Sequence, residues 1–541
     1  FQSTFQNCYN LTTIPDELFK YNVNVSSNGF YQTFAYCINL VNIGNNIFSG
    51  CSMVSTNGFY QTFINCSSIK SIPSDIFRDC VNVSSQGFYM TFYNCSSLES
   101  GVTSDLFKYN TLVSTDGFHS TFRGCTSLPF IPDNLFDNNP LVTNFYNTFY
   151  GCSNIKYIPN GLFKNNINVT TNAFYGTFYN CSSLESGVTS DLFSGCTLAS
   201  TNAFYNTFYG CSSLKSIGVD LFKYNTNVTT NAFYGTFYNC SLLESGVTSD
   251  LFRYNTKVTT NAFYNTFYGC SSLPYIPSGL FDYNTGVTLS SFYGTFYGCS
   301  KITSIPSNLF DNNTLVTNFD YTFYGCTLIE NIPNDLFKYN TSVTNFQYTF
   351  QNCSYLLNIP SNLFDTNTGV TTFNSVFSGC VSLMNIPQDL FKYNVNVTNS
   401  AFQNTFYGCA SLMEIPQDLF KYNVNVSSNA FQGTFQGCSS LMEIPQNLFK
   451  YNTGVTSSAF QATFSNCSNI RSIPDNLFSG CTLVSTNGFA STFSNCYSLE
   501  NIPQGLFDTN INVSIGGFYQ TFYNCTNLIN LPIGLFRNNV N

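Results

Sequence analysis

Apolar side chains recur along this chain in one fixed order, shown by the stretch Val25, Phe30, Phe34, Cys37, Leu40, Ile43, Phe48. The pattern F-Y-x-T-F-x-x-C-x-x-L-x-x-I-P-x-x-L-F-x-x-N-x-x-V returns from the first residues to the last, and Cys marks its phase at 8, 37, 66, 95, 125, 152, 181, 211, 240, 270, 299, 326, 353, 380, 409, 438, 467, 496 and 525. Successive steps measure 29 residues in eleven cases, 30 in three and 27 in four. Such a period is the signature of a solenoid, in which each unit buries its apolar face only by stacking on its neighbours.

Within a unit, Phe30, Phe34 and Cys37 stand at i, i+4 and i+7, the spacing of one face of a short helix or helical turn. The position of Gln32 is Gly, Asn, Gln or Ser in most units, which argues against an alternating strand there. Leu40-x-x-Ile43, followed by Pro in most units, suits a short strand that stops where Pro removes a donor. The expected fold is therefore a leucine-rich-repeat-like solenoid of about 19 units, each of about 29 residues with one short strand and one short helix or helical turn. Stacked strands would rise about 4.7–4.9 Å per unit, roughly 90 Å in all.

Length changes fall in two places, which predicts surface turns there. The 30-residue steps carry Glu-Ser-Gly-Val-Thr-Ser-Asp from Glu99, Glu185 and Glu244 in place of the Ile-Pro segment, and the 27-residue steps shorten the link after Val, as in Val316-Thr-Asn-Phe319. A second period lies inside the unit, because Phe19-x-x-Asn22-x-x-Val25 repeats the spacing of Phe34-x-x-Cys37-x-x-Leu40. The four remaining cysteines, Cys51, Cys80, Cys196 and Cys481, all occupy the Asn22 slot. Cys and Asn thus interchange at an inward site that asks for a small side chain able to hydrogen-bond the next turn.

The segments Val316–Pro333 and Val343–Pro360, with V-T-x-F-x-x-T-F-x-x-C-x-x-L/I-x-x-I-P, resemble the BspA-type leucine-rich repeat surface proteins over essentially the whole chain. That resemblance implies an exported, surface-exposed protein that binds host or neighbouring-cell components.

Composition narrows the function classes. Charged residues are 8% and the net charge is −9, with no basic run, so a nucleic-acid groove is not expected. A surface so thinly charged favours an extracellular setting or self-association. No apolar stretch reaches 18 residues, and no membrane insertion is expected within this segment. Phe1 and Asn541 both lie inside the repeat, so residues 1–541 are read as a single solenoid, uncapped at both ends and cut from a longer array. With His119 the only histidine and no nucleophile set, phosphate loop or recurring carboxylate pair, no catalytic residue, cofactor or metal is expected.

Three groups of candidate residues remain. Tyr146 and Tyr150, Tyr175 and Tyr179, Tyr205 and Tyr209, Tyr234 and Tyr238, Tyr264 and Tyr268, and Tyr293 and Tyr297 hold the same two slots in six successive units, and Gln or Ser replaces them elsewhere (Gln403, Gln432, Ser465). They are expected to form an exposed double stripe that docks glycan or another copy of the array, with simple duplication of units as the alternative. Cys51 and Cys80, on adjacent turns, are the candidate disulfide, whereas the other cysteines are expected as buried thiols. Asn24, Asn82, Asn168, Asn227, Asn396 and Asn425 are candidate glycosylation sites at a turn. The expected role is a non-catalytic adhesion array at a cell or virion surface, bound to protein or glycan. The alternative is a subunit of an extracellular filament built by stacking copies of the chain.

Overall fold

A computed structural model describes residues 1–540. The chain divides into two compact units, Phe1–Leu273 and Pro274–Asn541, and the sequence period runs through the division unbroken, 29 residues from Cys270 to Cys299. Each unit is a stack of turns with almost no regular secondary structure. The named strands are β1 (Thr13–Ile14) and β2 (Asn42–Ile43), paired in parallel with Thr13 opposite Asn42 and Ile14 opposite Ile43. Equivalent residues on later turns form single parallel bridges, among them Ser71 with Ser100, Ser216 with Ser245 and Asn331 with Asn358. The predicted strand is thus present but only one or two residues long, both where Pro follows (Pro15 after β1) and where Gly does (Gly44 after β2).

The Phe-rich segment is a chain of tight turns, and no helix occurs among the described residues. Alternate N–H groups divide their work. Tyr31, Thr33, Ala35 and Cys37 donate three residues back along the chain, while Phe30, Gln32, Phe34 and Tyr36 donate to Gly58, Tyr60, Thr62 and Ile64 on the next turn. A helix would keep every such bond within itself. Every fourth residue is left-handed instead, with φ of 54° at Asn28, 53° at Gln32 and 62° at Tyr36. This explains the Gly and Asn preference at the Gln32 slot, because those residues tolerate positive φ best. The i, i+4, i+7 spacing therefore reports a four-residue turn period.

The core consists of Phe columns, each locked by a side chain from the following turn. Phe30, Phe59 and Phe88 stack at 5.5 and 5.6 Å, and Phe48 leans between Phe30 and Phe59 at 4.4 and 4.8 Å. Thr62 Oγ1 donates to the Phe30 carbonyl at 2.7 Å and Cys66 Sγ to the Phe34 carbonyl at 3.0 Å. Asn110 Nδ2 reaches both the Phe77 and Cys80 carbonyls, at 3.1 and 2.9 Å. Cys196 in the same slot donates to the Phe163 carbonyl at 3.3 Å, so the slot requires a donor and the Cys–Asn exchange follows.

Both length changes have a local cause. In the 30-residue steps Gly101, Gly187 and Gly246 adopt φ of 91–95°, and a Cβ would lie 1.9–2.0 Å from the Ile72, Ile158 and Ile217 carbonyl oxygens. In the 27-residue steps the shortened link runs straight enough to bridge its neighbours, as Asn318 does with Asn345 and Asn345 with Thr372.

Candidate functional site

The tyrosines of the expected stripe form two stacked columns on the Phe-rich segment. Tyr146, Tyr175, Tyr205, Tyr234 and Tyr264 follow one another at 4.4–4.5 Å between ring centroids, with planes within 7°. Tyr150, Tyr179, Tyr209, Tyr238 and Tyr268 do the same at 4.2–4.3 Å. In the second unit Tyr297 stacks on Tyr324 at 4.3 Å, whereas Tyr293 meets Tyr321 tilted by 51° at 5.2 Å. All twelve side chains are half-buried rather than exposed, and within the first unit the stacked rings cover one another's faces. Their faces are occupied, so what the stripe offers outward is ring edges and hydroxyls. Burial, with the neighbouring phenols, pushes Tyr175 and Tyr205 up to about 12, so these two phenols stay neutral well above neutral pH.

The first column continues through Tyr31, Tyr60 and Tyr89 to His119, which lies between Tyr89 at 4.4 Å and Tyr146 at 4.6 Å. Burial lowers its pKa, so the imidazole is a neutral ring in a stack. At the same slot in the second unit stands Asp320, only 7% exposed. Asn345 Nδ2 donates to its Oδ2 at 2.9 Å while Oδ1 has no protein partner, and burial pushes the carboxyl up to about 7.

Cys51 and Cys80 are buried free thiols, directed at the Phe19 and Phe48 carbonyls at 3.5 and 3.8 Å rather than at each other. Every cysteine is buried except Cys8, which is exposed, and Cys525, which is half-buried. Burial raises Cys51 to about 11 and Cys80 well above the ordinary thiol value, which suppresses the thiolate needed for attack or metal binding.

The candidate glycosylation sites lie at the expected turn, with Asn24, Asn82, Asn396 and Asn425 exposed and Asn168 and Asn227 half-buried. Asn82, Asn168, Asn227, Asn396 and Asn425 each donate from Nδ2 to a carbonyl of the preceding turn, at 2.8–3.1 Å, so one of the two amide protons of each is already engaged.

Two outward columns escaped the sequence reading. One follows Phe-Lys-Tyr-Asn: Tyr224, Tyr339, Tyr393 and Tyr422 are 41–49% exposed, each with the preceding lysine 5.4–5.7 Å from its ring centroid. The other is the exposed slot beside the parallel bridges, four residues after each ladder Cys. It holds Lys156, Glu185, Lys215 and Glu244 in alternating sign in the first unit, joined by Glu185 N–H to the Lys156 carbonyl and Glu244 N–H to the Lys215 carbonyl. In the second unit it holds Leu357, Met384, Met413, Met442 and Arg471. The alternation of charge at one repeat phase was the signal that could have found it.

These ladders define a leucine-rich-repeat-like solenoid. No protein-family model and no curated protein matches the chain. Among solved structures it is similar to a leucine-rich repeat protein from Bacteroides ovatus, at 17% identity over 100% of this chain and 84% of that one, with a TM-score of 0.23. A leucine rich cell surface protein from Faecalibacterium prausnitzii matches at 17% identity over 82% of this chain and 85% of that one, with a TM-score of 0.29. The functional domain of InlJ from Listeria monocytogenes, which includes a cysteine ladder, matches at 11% identity over 65% and 68% of the two chains, with a TM-score of 0.24. At these TM-scores the fold assignment rests on the chain's own stacked columns.

Proposed function

We propose that the protein is a non-catalytic extracellular repeat array that docks on protein or glycan at a cell surface. One observation carries this reading: outward slots repeat the same chemistry turn after turn, giving columns of phenol edges, hydroxyls and alternating charges. A partner that is itself extended and periodic meets many weak contacts at once on such a surface, and avidity supplies the affinity. The Tyr146–Tyr268 columns are the favoured contact, through edges and hydroxyls rather than ring faces. The test is retention on a printed glycan array and on intact cells. Replacing Tyr205, Tyr234 and Tyr264 by Ser should abolish retention, and replacing them by Phe, which keeps the stack and removes the hydroxyls, should weaken it. Unchanged retention of the folded Ser variant refutes the stripe as the docking face.

A second reading is a filament subunit. It is favoured by the inter-turn bonding, since each turn presents to the next the same N–H and carbonyl pattern that another copy would present, on a chain with 8% charged residues. Electron microscopy separates the two: discrete particles support docking, and fibres with an axial repeat of about 4.7–4.9 Å support assembly.

A further inference from the structure

The slot beside the parallel bridges carries a methionine run in the second unit. The chain has five methionines, and three of them, Met384, Met413 and Met442, occupy this slot on consecutive turns. Their register is fixed by the backbone. Met384 N–H donates to the Leu357 carbonyl at 3.4 Å, Met413 N–H to the Met384 carbonyl at 3.3 Å, and Ser440 N–H to the Ala410 carbonyl at 3.1 Å. The side chains are 39, 50 and 59% exposed. Turns so bonded lie about 4.8 Å apart, which is within the sweep of an unbranched thioether with three rotatable bonds. Leu357 precedes the run and Arg471 follows it, so the column presents three sulfurs and stops.

A second observation bears on the same place. Glu414 and Glu443, the next residues after two of these methionines, are exposed on adjacent turns and line one open groove. Like charges one spacing apart on paired strands repel. The ion pairs of these turns join Lys392 to Asp389 and Lys421 to Asp418, and none among the described residues involves Glu414 or Glu443. Two carboxylates without an ion-pair partner thus directly follow two of the three soft neutral donors in the chain.

We propose that Met384, Met413 and Met442 form a binding site for a soft monovalent cation, copper(I) or silver(I), with Glu414 and Glu443 supplying the compensating negative charge. Thioethers select such ions over hard divalent ones. The thiols of the same turns, Cys380, Cys409 and Cys438, are fully buried and their pKa values are raised by burial, so an ion arriving from solvent meets the methionines first. The site makes no use of the tyrosine columns and is independent of the docking proposal.

The chain supplies an internal control in Met53, which is 51% exposed and has no methionine at the same slot of either neighbouring turn, where Asn24 and Asn82 stand. The experiment is a titration of the full chain, with Cys8 capped by iodoacetamide under native conditions, using silver nitrate in chloride-free buffer. The methionine methyl groups are carbon-13 labelled and followed by NMR. The Met384, Met413 and Met442 resonances should shift together and saturate at one equivalent, with Met53 unmoved until silver is at least tenfold higher. Met413→Leu, which keeps size and apolarity at an exposed position, should weaken binding at least tenfold, and Glu414→Gln with Glu443→Gln should weaken it less. The proposal is overturned if Met53 shifts in parallel, if the Met413→Leu titration matches the parent, or if none of the three methyls moves.

Discussion

Asp320 offers the sharpest test of how the columns are held. It occupies a tyrosine slot but places a carboxyl where the surroundings are ring edges and amides, and its Oδ1 has no protein partner. Burial raises it from 3.8 to about 7, partly offset by the nearby Gln347 backbone and Asn318 side chain. The folded state therefore holds a proton that the unfolded chain releases. Its stability contribution is fully present below pH 3.8, falls as the pH rises toward 7, and is lost above it. The whole difference corresponds to about 4 kcal/mol, of which about 2.6 kcal/mol, roughly a hundredfold in the local opening equilibrium, falls between pH 5 and pH 8. Asp320→Asn keeps the shape and removes the titration. Hydrogen exchange should be read by mass spectrometry at pH 5 and pH 8, in peptides spanning residues 310–350, and divided by the intrinsic rates. The parent should open far more readily at pH 8, and the variant should open equally at both. An Asp320→Asn protein that retains the pH dependence refutes the assignment, because the titrating group would then lie elsewhere.

The donor slots can be probed in the same currency. Asn225 donates to the Phe193 and Cys196 carbonyls while its Oδ1 lacks a protein partner, so Asn225→Ala should cost about 1–3 kcal/mol in urea unfolding. Asn225→Cys, which keeps a donor as Cys196 does, should cost clearly less. Cys211→Val strips the Phe178 carbonyl of its thiol donor and should destabilise by about 1 kcal/mol, and equality with the parent would show the thiol bond to be idle. Gly101→Ala should unfold at markedly lower urea than the parent, since its Cβ would lie 1.9 Å from the Ile72 carbonyl oxygen at a φ of 91°. A thiol-reactive dye should count one fast thiol, Cys8, in the native protein and 23 in denaturant. A denatured count two lower, with Cys51 and Cys80 in one peptide, would establish the disulfide.

The period, the strand before Pro, the two places of length change and the Cys–Asn exchange were all legible in the sequence. Each is imposed by one local demand repeated on every turn. Phe must fill the same column and a donor must meet the same carbonyl, so the residues record these demands directly. What misled was the i, i+4, i+7 spacing, which a helix and a four-residue turn period share. The distinction lies in where alternate N–H groups go, and the partner of Gln32 N–H is Tyr60 on the next turn. Likewise the acceptance of Tyr, Gln and Ser at one slot marked it as outside the core, but only stacking decided that Tyr175 and Tyr205 cover each other's faces. The column of Lys156, Glu185, Lys215 and Glu244, the run of Met384, Met413 and Met442, and the buried carboxyl of Asp320 each exist because residues about 29 positions apart become neighbours. The sequence by itself determined the unit. Only the stacking of units turned single residues into columns, because exposure, charge repulsion and proton affinity depend on what the adjacent turn places one spacing away.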